Sequence, residues 1–309
     1  MDRKTTDFAH VAVIVARADK SLQHIGDRLE SVLASATDGA RAPVRMLSGE
    51  REFTAIEQAG NFEDSQAVRK ALEAEFEGEA DICITSTEGR RKRLLICDMD
   101  STIIQQECLD ELADFAGLKA EISQITERAM RGELEFEAAL TERVGKLKGL
   151  DLSALEQCHR ERITLTPGAK TLIATMKAEG ARSVLVSGGF SFFTSRIAEA
   201  AGFDAHRGNT LLDDGNALTG KVGEPILGRE AKLSALQEEA RGLDIPVSGA
   251  LAMGDGANDL AMIEAAGLGI AYRAKPVVAA ASDCAIKVTD LTAALYFQGY
   301  SDSEIVWKH

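Results

Sequence analysis

The chain has 309 residues, 45% of them hydrophobic, with 27 glycines and a formal net charge of −14. That is enough chain for two domains or one large one. So acidic a surface argues against nucleic acid and anionic membranes as partners, and an anionic small molecule would need a locally positive site. No window has the length and apolarity of a transmembrane helix, and the charged start does not read as a signal peptide. The five cysteines are scattered, without a CxxC or Cys/His cluster, and indicate neither zinc nor a disulfide framework. A reducing, cytoplasmic compartment is the expectation.

In chain order, Val11–Ala16 reads as a strand, and Leu22, Ile25, Leu29, Val32 and Leu33 have helical spacing. Two short strands, 44–47 and 52–56, flank Ser48-Gly49-Glu50 as a hairpin. A helix over 65–76 and a strand over 81–85 follow. This βαββαβ order predicts a ferredoxin-like, ACT-like sandwich over 1–87. It carries no cluster of catalytic side chains, so a folding, regulatory or dimerisation role is expected, with a homodimer paired through it. Glu88-Gly89-Arg90-Arg91-Lys92-Arg93 reads as a linker over 88–93 whose charges are solvated.

Leu94-Leu95-Ile96-Cys97 is an apolar run ending in Asp98-Met99-Asp100-Ser101-Thr102. A run this apolar predicts a strand buried on both faces of a parallel sheet, where ligands bind beyond the strands' carboxyl ends. Two carboxylates there need a compensating cation, most simply Mg²⁺, unless the stretch is only a solvated Asp-rich turn. Amphipathic helical patterns then fill 105–164, a small bundle inserted before the parallel-sheet signal resumes.

A helix opens at Thr166-Pro167-Gly168, and the strand 183–186 ends in Ser187-Gly188-Gly189-Phe190, read as a Gly-rich turn before a helix over 193–201. Asp214-Gly215 marks a small β-hairpin insertion within 204–225. Lys232 begins an amphipathic helix. The strand 247–253 ends in Gly254-Asp255-Gly256-Ala257-Asn258-Asp259, and helices over 260–266, 277–281 and 291–296 alternate with strands over 268–271 and 285–288. The fold class is therefore α/β: a doubly wound parallel sheet over 94–104 and 165–309, interrupted by the helical cap and preceded by the smaller domain.

Asp98-Met99-Asp100-Ser101-Thr102, Ser187-Gly188-Gly189-Phe190, Lys232 and Gly254-Asp255-Gly256-Ala257-Asn258-Asp259 resemble, in order, the four motifs of the haloacid dehalogenase superfamily. Within it the chain is similar to the phosphoserine phosphatases over about 94–290. The resemblance implies Mg²⁺-dependent hydrolysis of the small molecule O-phosphoserine. Asp98 would be the nucleophile that becomes an aspartyl-phosphate, and Asp100 the proton donor and later the general base. Ser187, Gly188, Lys232 and Asn258 would bind phosphate. Mg²⁺ would be held by Asp98, the main-chain carbonyl of Asp100 and Asp255, with Asp259 acting indirectly. In the cap, Glu107 would take the ammonium and Arg143 the carboxylate, while Met130 and Phe136 wall the pocket. Read without the resemblance, Glu107 and Arg143 are solvent-facing charges, the default for those residues, and Met130 and Phe136 are equally bundle core.

Two alternatives stay open. One is a phosphotransferase, or a phosphatase for another small phosphate ester, on the same scaffold. The other is a phosphorylated receiver, which the long helical insertion after Asp98 disfavours.

Overall fold

The computed structural model describes residues 8–18, 21–36, 39–49, 51–130 and 133–308, apart from the side chains of Ala129 and Met130. It begins with β1 (His10–Arg17), α1 (Leu22–Ala36), β2 (Arg45–Ser48), β3 (Phe53–Gly60), α2 (Ser65–Glu75) and β4 (Ala80–Ser86). The order is βαββαβ, as expected. β3 runs well beyond the expected strand, and every residue of it is buried, the polar Glu57 and Gln58 included. Glu57 broke the apolar pattern, but arginines neutralise it in place.

β5 (Leu94–Cys97) and a wide turn over Met99–Ile103 lead into helices α3 (Cys108–Phe115), α4 (Lys119–Met130), α5 (Phe136–Lys146) and α6 (Leu152–Arg162). Then come α7 (Ala169–Ala178), β6 (Arg182–Phe190), α8 (Ser191–Ala201), β7 (Ala205–Asn209) and the hairpin β8 (Leu211–Asp213) and β9 (Leu218–Val222). The chain continues through α9 (Arg229–Gly242), β10 (Ala250–Gly254), α10 (Leu260–Ala265), β11 (Leu268–Tyr272), α11 (Pro276–Ala281), β12 (Cys284–Ile286) and α12 (Ala293–Phe297).

The strands form one ten-stranded sheet in the order β2-β3-β1-β4-β12-β11-β10-β5-β6-β7. From β12 to β7 the pairings are parallel. The first four strands are antiparallel and join at Cys83 opposite Cys284. Two features differ from the sequence expectation. The two sheets are continuous, and β7 is a parallel edge strand where only a hairpin insertion was expected. Ala205-His206-Arg207-Gly208-Asn209 has too few apolar residues to announce a strand.

The pleat of β1 explains how the halves bind. Ala12, Ile14 and Ala16 face α1 and α2, packing on Ile25, Leu29, Leu33, Val68 and Leu72. Val11, Val13 and Val15 point the other way, into the core that contains Leu295, Tyr296 and Phe297 of α12. That second face is thus covered by the chain's own C-terminal helix.

The expected solvated linker is part of this seam. Arg90 is only 9% exposed; its Nη1 lies 2.7 Å from Glu57 Oε2. Its Nε and Nη2 donate to the carbonyls of Phe297 and Tyr296 at 2.8 and 3.2 Å, closing the end of α12. Lys92 is buried too, donating to the carbonyls of Gly89 and Ser248. These residues read as surface charge because their partners lie far away in sequence.

The two ends of the cap meet where Ile104 bridges Leu165 and the Thr166 N–H donates to Ile103 O at 2.9 Å. The β8–β9 hairpin reaches the cap's far side: the N–H of Gly149 donates to Leu218 O, and that of Leu218 to Leu150 O, both at 2.8 Å.

The seam makes a contrast measurable. Arg90→Ala takes from Glu57 its buried partner and leaves the carbonyls of Phe297 and Tyr296 without their donor, so it should cost about 3 kcal/mol in urea unfolding. Arg45, which also holds Glu57 at 2.7 Å but is 48% exposed, should cost under about 1 kcal/mol as Arg45→Ala.

Candidate active site

β5 and β10 are adjacent and parallel. The chain continues from β5 to β6 on one side and reaches β10 on the other, so their carboxyl ends open at the sheet's switch point. Asp98 follows β5, its N–H donating to Met253 O at 2.9 Å, and Asp255 follows β10. Lys232, in the first turn of α9, places Nζ 2.6 Å from Asp98 Oδ1 and 2.6 Å from Asp259 Oδ1. Asp98, Lys232 and Asp259 are 5%, 2% and 0% exposed. The second oxygen of Asp259 accepts from the Gly256 N–H at 3.0 Å. Gly254 must be glycine here: a Cβ on it would lie 2.3 Å from Asp259 Cγ.

Asp98, Asp255 and Asp259 offer oxygens within 4.8 Å of one another, against one ammonium. Burial and then Asp259 push the Asp98 carboxyl well above its ordinary range in spite of Lys232. Burial and Asp259 likewise lift Asp255 to about 6. Burial alone would lower the Lys232 pKa, but the two carboxylates more than reverse that and keep it charged. A buried cluster with more negative than positive charge, offering only hard oxygen donors, fits a hard divalent cation.

The wide turn after Asp98 closes with the Ile104 N–H on Met99 O at 3.0 Å. It turns Asp100 toward both the cap and β6. Asp100 Oδ1 accepts from the Cys108 N–H at 2.8 Å, and Oδ2 from Ser187 Oγ at 3.2 Å. Burial raises the Asp100 pKa, and these bonds oppose the rise. Ser101, at φ +53°, donates from Oγ to Glu107 Oε1 at 2.6 Å. Glu107 is exposed as a residue. Its carboxyl is nonetheless pushed up to about 7, first by lost hydration and then by Asp100. Thr102 Oγ1 is buried without a hydrogen-bond partner.

Ser187–Phe190 differs from the expected turn. It is extended within β6, and the register against β7 shifts between Val186 and Phe190. Ser187 Oγ accepts from the Gly189 N–H at 2.8 Å. What holds this stretch is Asn209, which the sequence reading missed. Its Nδ2 donates to Gly188 O at 2.8 Å and to Leu227 O at 3.2 Å, while Oδ1 accepts from the Leu227 N–H at 2.7 Å. A buried asparagine ending a strand was the available signal, and it vanished with the strand itself.

From the cap, Phe136 lies over Gly188: a Cβ there would be 3.1 Å from the ring's Cζ. Arg143, on the same helix, is half-buried. Burial lowers its pKa, while Asp110 and Glu107 favour its charge. Asn258 is half-buried, its Oδ1 beside Gly256. The side chain of Met130 lies outside the described residues. The structure thus brings Asp98, Asp100, Ser187, Gly188, Lys232, Asp255, Asn258 and Asp259 to one crevice, with Glu107 and Phe136 touching its rim from the cap.

Residues 95–264 match the family model of the haloacid dehalogenase-like hydrolases. A protein of Archaeoglobus fulgidus named phosphoserine phosphatase is 46% identical over 231 residues, 74% of this chain and 67% of that one. A Schizosaccharomyces pombe protein named probable phosphoserine phosphatase is 37% identical over 278 residues, 89% of this chain and 92% of that one. Among solved structures, a probable phosphoserine phosphatase from Vibrio cholerae has a TM-score of 0.77 at 29% identity, covering 98% of this chain and 90% of that one.

The acidic cluster makes cation binding sensitive to pH. A carboxyl raised to about 6 is ionised above that pH and protonated below it, and only the ionised form holds a cation. Magnesium chloride should therefore raise Tm by several degrees over sodium chloride of equal ionic strength above pH 7. The increment should shrink as pH falls below about 6, and Asp255→Asn should lose most of it at every pH.

Proposed function

The chain belongs to the haloacid dehalogenase-like hydrolase family, and we propose that it hydrolyses O-phosphoserine to serine and phosphate with Mg²⁺ as cofactor, the closing step of serine biosynthesis. One observation carries the reading: a buried lysine fixes Asp98 at the switch point, while Asp100, two residues on, reaches Ser187. The substrate is supported by the names of the relatives and by an acidic and a basic cap residue, Glu107 and Arg143, matched to the ends of an amino acid.

In this reading Lys232 holds Oδ1 of Asp98, leaving the other oxygen to attack phosphorus. The phosphorus–oxygen bond to serine breaks as Asp100 gives its proton to the departing oxygen, and Asp98 becomes an aspartyl-phosphate. The raised pKa of Asp100 suits it to hold that proton beforehand. Asp100 then accepts a proton from the water that attacks phosphorus, which frees Asp98 and releases phosphate. Ser187, the Gly188 N–H, Lys232 and Asn258 orient the phosphoryl oxygens. Asp98, the carbonyl of Asp100 and Asp255 would hold the cation, with Asp259 steadying Lys232 and the Gly256 loop. Bound there, Mg²⁺ offsets the phosphate charge. Glu107 pairs with the ammonium and Arg143 with the carboxylate by a bidentate fork, beside Phe136 and Met130.

The same reading divides the chain into a regulatory or dimerising unit, 1–87, a linker, 88–93, a catalytic core, 94–104 with 165–309, and a specificity cap, 105–164. A cytoplasmic location rests on five buried, free thiols.

Asp98→Asn should lower kcat for phosphoserine by at least about a thousandfold in a phosphate-release assay. Arg143→Ala should raise KM for phosphoserine by about a hundredfold, as expected for a lost charge-assisted pair, and should erase the preference for phosphoserine over simple alkyl phosphates.

A further inference from the structure

Glu107 stands at the N-cap position of α3, yet its side chain makes no capping hydrogen bond. The first amide of α3, that of Cys108, donates to Asp100 Oδ1 at 2.8 Å. Glu107 is held by Ser101 instead: Oγ donates to Oε1 at 2.6 Å. A second bond runs beside this one, from the Ser101 N–H to Gln106 O at 3.1 Å. Together they clip the turn that carries Asp98 and Asp100 to the first residues of the cap. Ser101 does so from φ +53°, a conformation that favours glycine, so a serine there retains its hydroxyl at a backbone cost.

We infer that Ser101 is a specificity-determining positioning residue: its hydroxyl fixes one oxygen of Glu107 so that the other faces the cleft as the acceptor for the substrate's ammonium. This rests on the phosphoserine reading. A hydroxyl has one proton to donate, and here it is spent on Oε1, which leaves Oε2 with its acceptor capacity. An ammonium reaching Glu107 then meets a carboxylate already oriented, and loses less on ordering it.

The test compares phosphoserine with its desamino analogue, 3-phosphooxypropionate, which keeps the carboxylate and phosphate. Ser101→Gly removes the hydroxyl at a position whose φ suits glycine, and Ser101→Ala removes it while retaining the backbone cost. In both, the ratio of kcat/KM for phosphoserine to that for the analogue should fall about tenfold, the worth of one hydrogen bond to a charged group. The fall should come through KM for phosphoserine. Glu107→Gln should lower the ratio further, and adding Ser101→Gly to it should change nothing more. Equal losses on both substrates, an unchanged ratio, or additive losses in the double variant would overturn the inference. A wild-type protein that does not prefer phosphoserine to the analogue would instead remove the substrate reading, and this inference with it.

Discussion

The ammonium of Lys232 between Asp98 and Asp259 is the contact on which the rest of this structure depends. Three buried charges cannot be held in so small a volume by packing; they need mutual bonds of 2.6 Å and a scaffold that brings three distant chain segments together. The parallel half of the sheet supplies that scaffold. β5 and β10 end side by side, and α9 delivers the lysine from the layer covering one face, where Ala235 and Leu236 pack on Leu94 and Ile96. One lysine cannot balance Asp98, Asp255 and Asp259, which leaves hard oxygen donors to spare for the cation proposed above.

The antiparallel half does more than precede the catalytic sheet. Its second face is sealed by α12, its edge meets β12 at Cys83, and Arg90 ties Glu57 of β3 to the end of α12. Asp81 of β4 adds another tie, accepting from the amides of Lys287, Val288 and Thr289. A ligand or partner acting on the first unit would thus act on a body continuous with the one that holds the crevice. The cap is attached differently, through the paired backbones at Ile104 and Leu165 and the hairpin's hydrogen bonds, and its groups reach the crevice from the outside.

The site was legible in the sequence where chemistry and local pattern coincide. Apolar runs stop abruptly at Asp98, Ser187 and Asp255, and a reader needs only the alternation of strands and helices to bring those ends together. What stayed hidden depends on partners remote in sequence. Arg90 and Lys92 look like solvated linker until Glu57 and the carbonyls of Phe297 and Ser248 are placed beside them. Asn209 lies in a strand with no apolar signature, and its function is to hold backbone on two other segments. Ser187–Phe190 has the glycines of a turn, yet neighbouring β7 and the Asn209 amide keep it extended.

In the proposed function the Lys232 arrangement makes Asp98 the acceptor of a phosphoryl group. The direct measurement is rapid acid quenching of the wild-type protein during turnover of phosphorus-labelled phosphoserine with Mg²⁺, followed by peptide mapping. Phosphate should be found on Asp98 and be removed by hydroxylamine. Phosphate release with no phosphorylated protein at any time, or label on any other residue, would contradict that role.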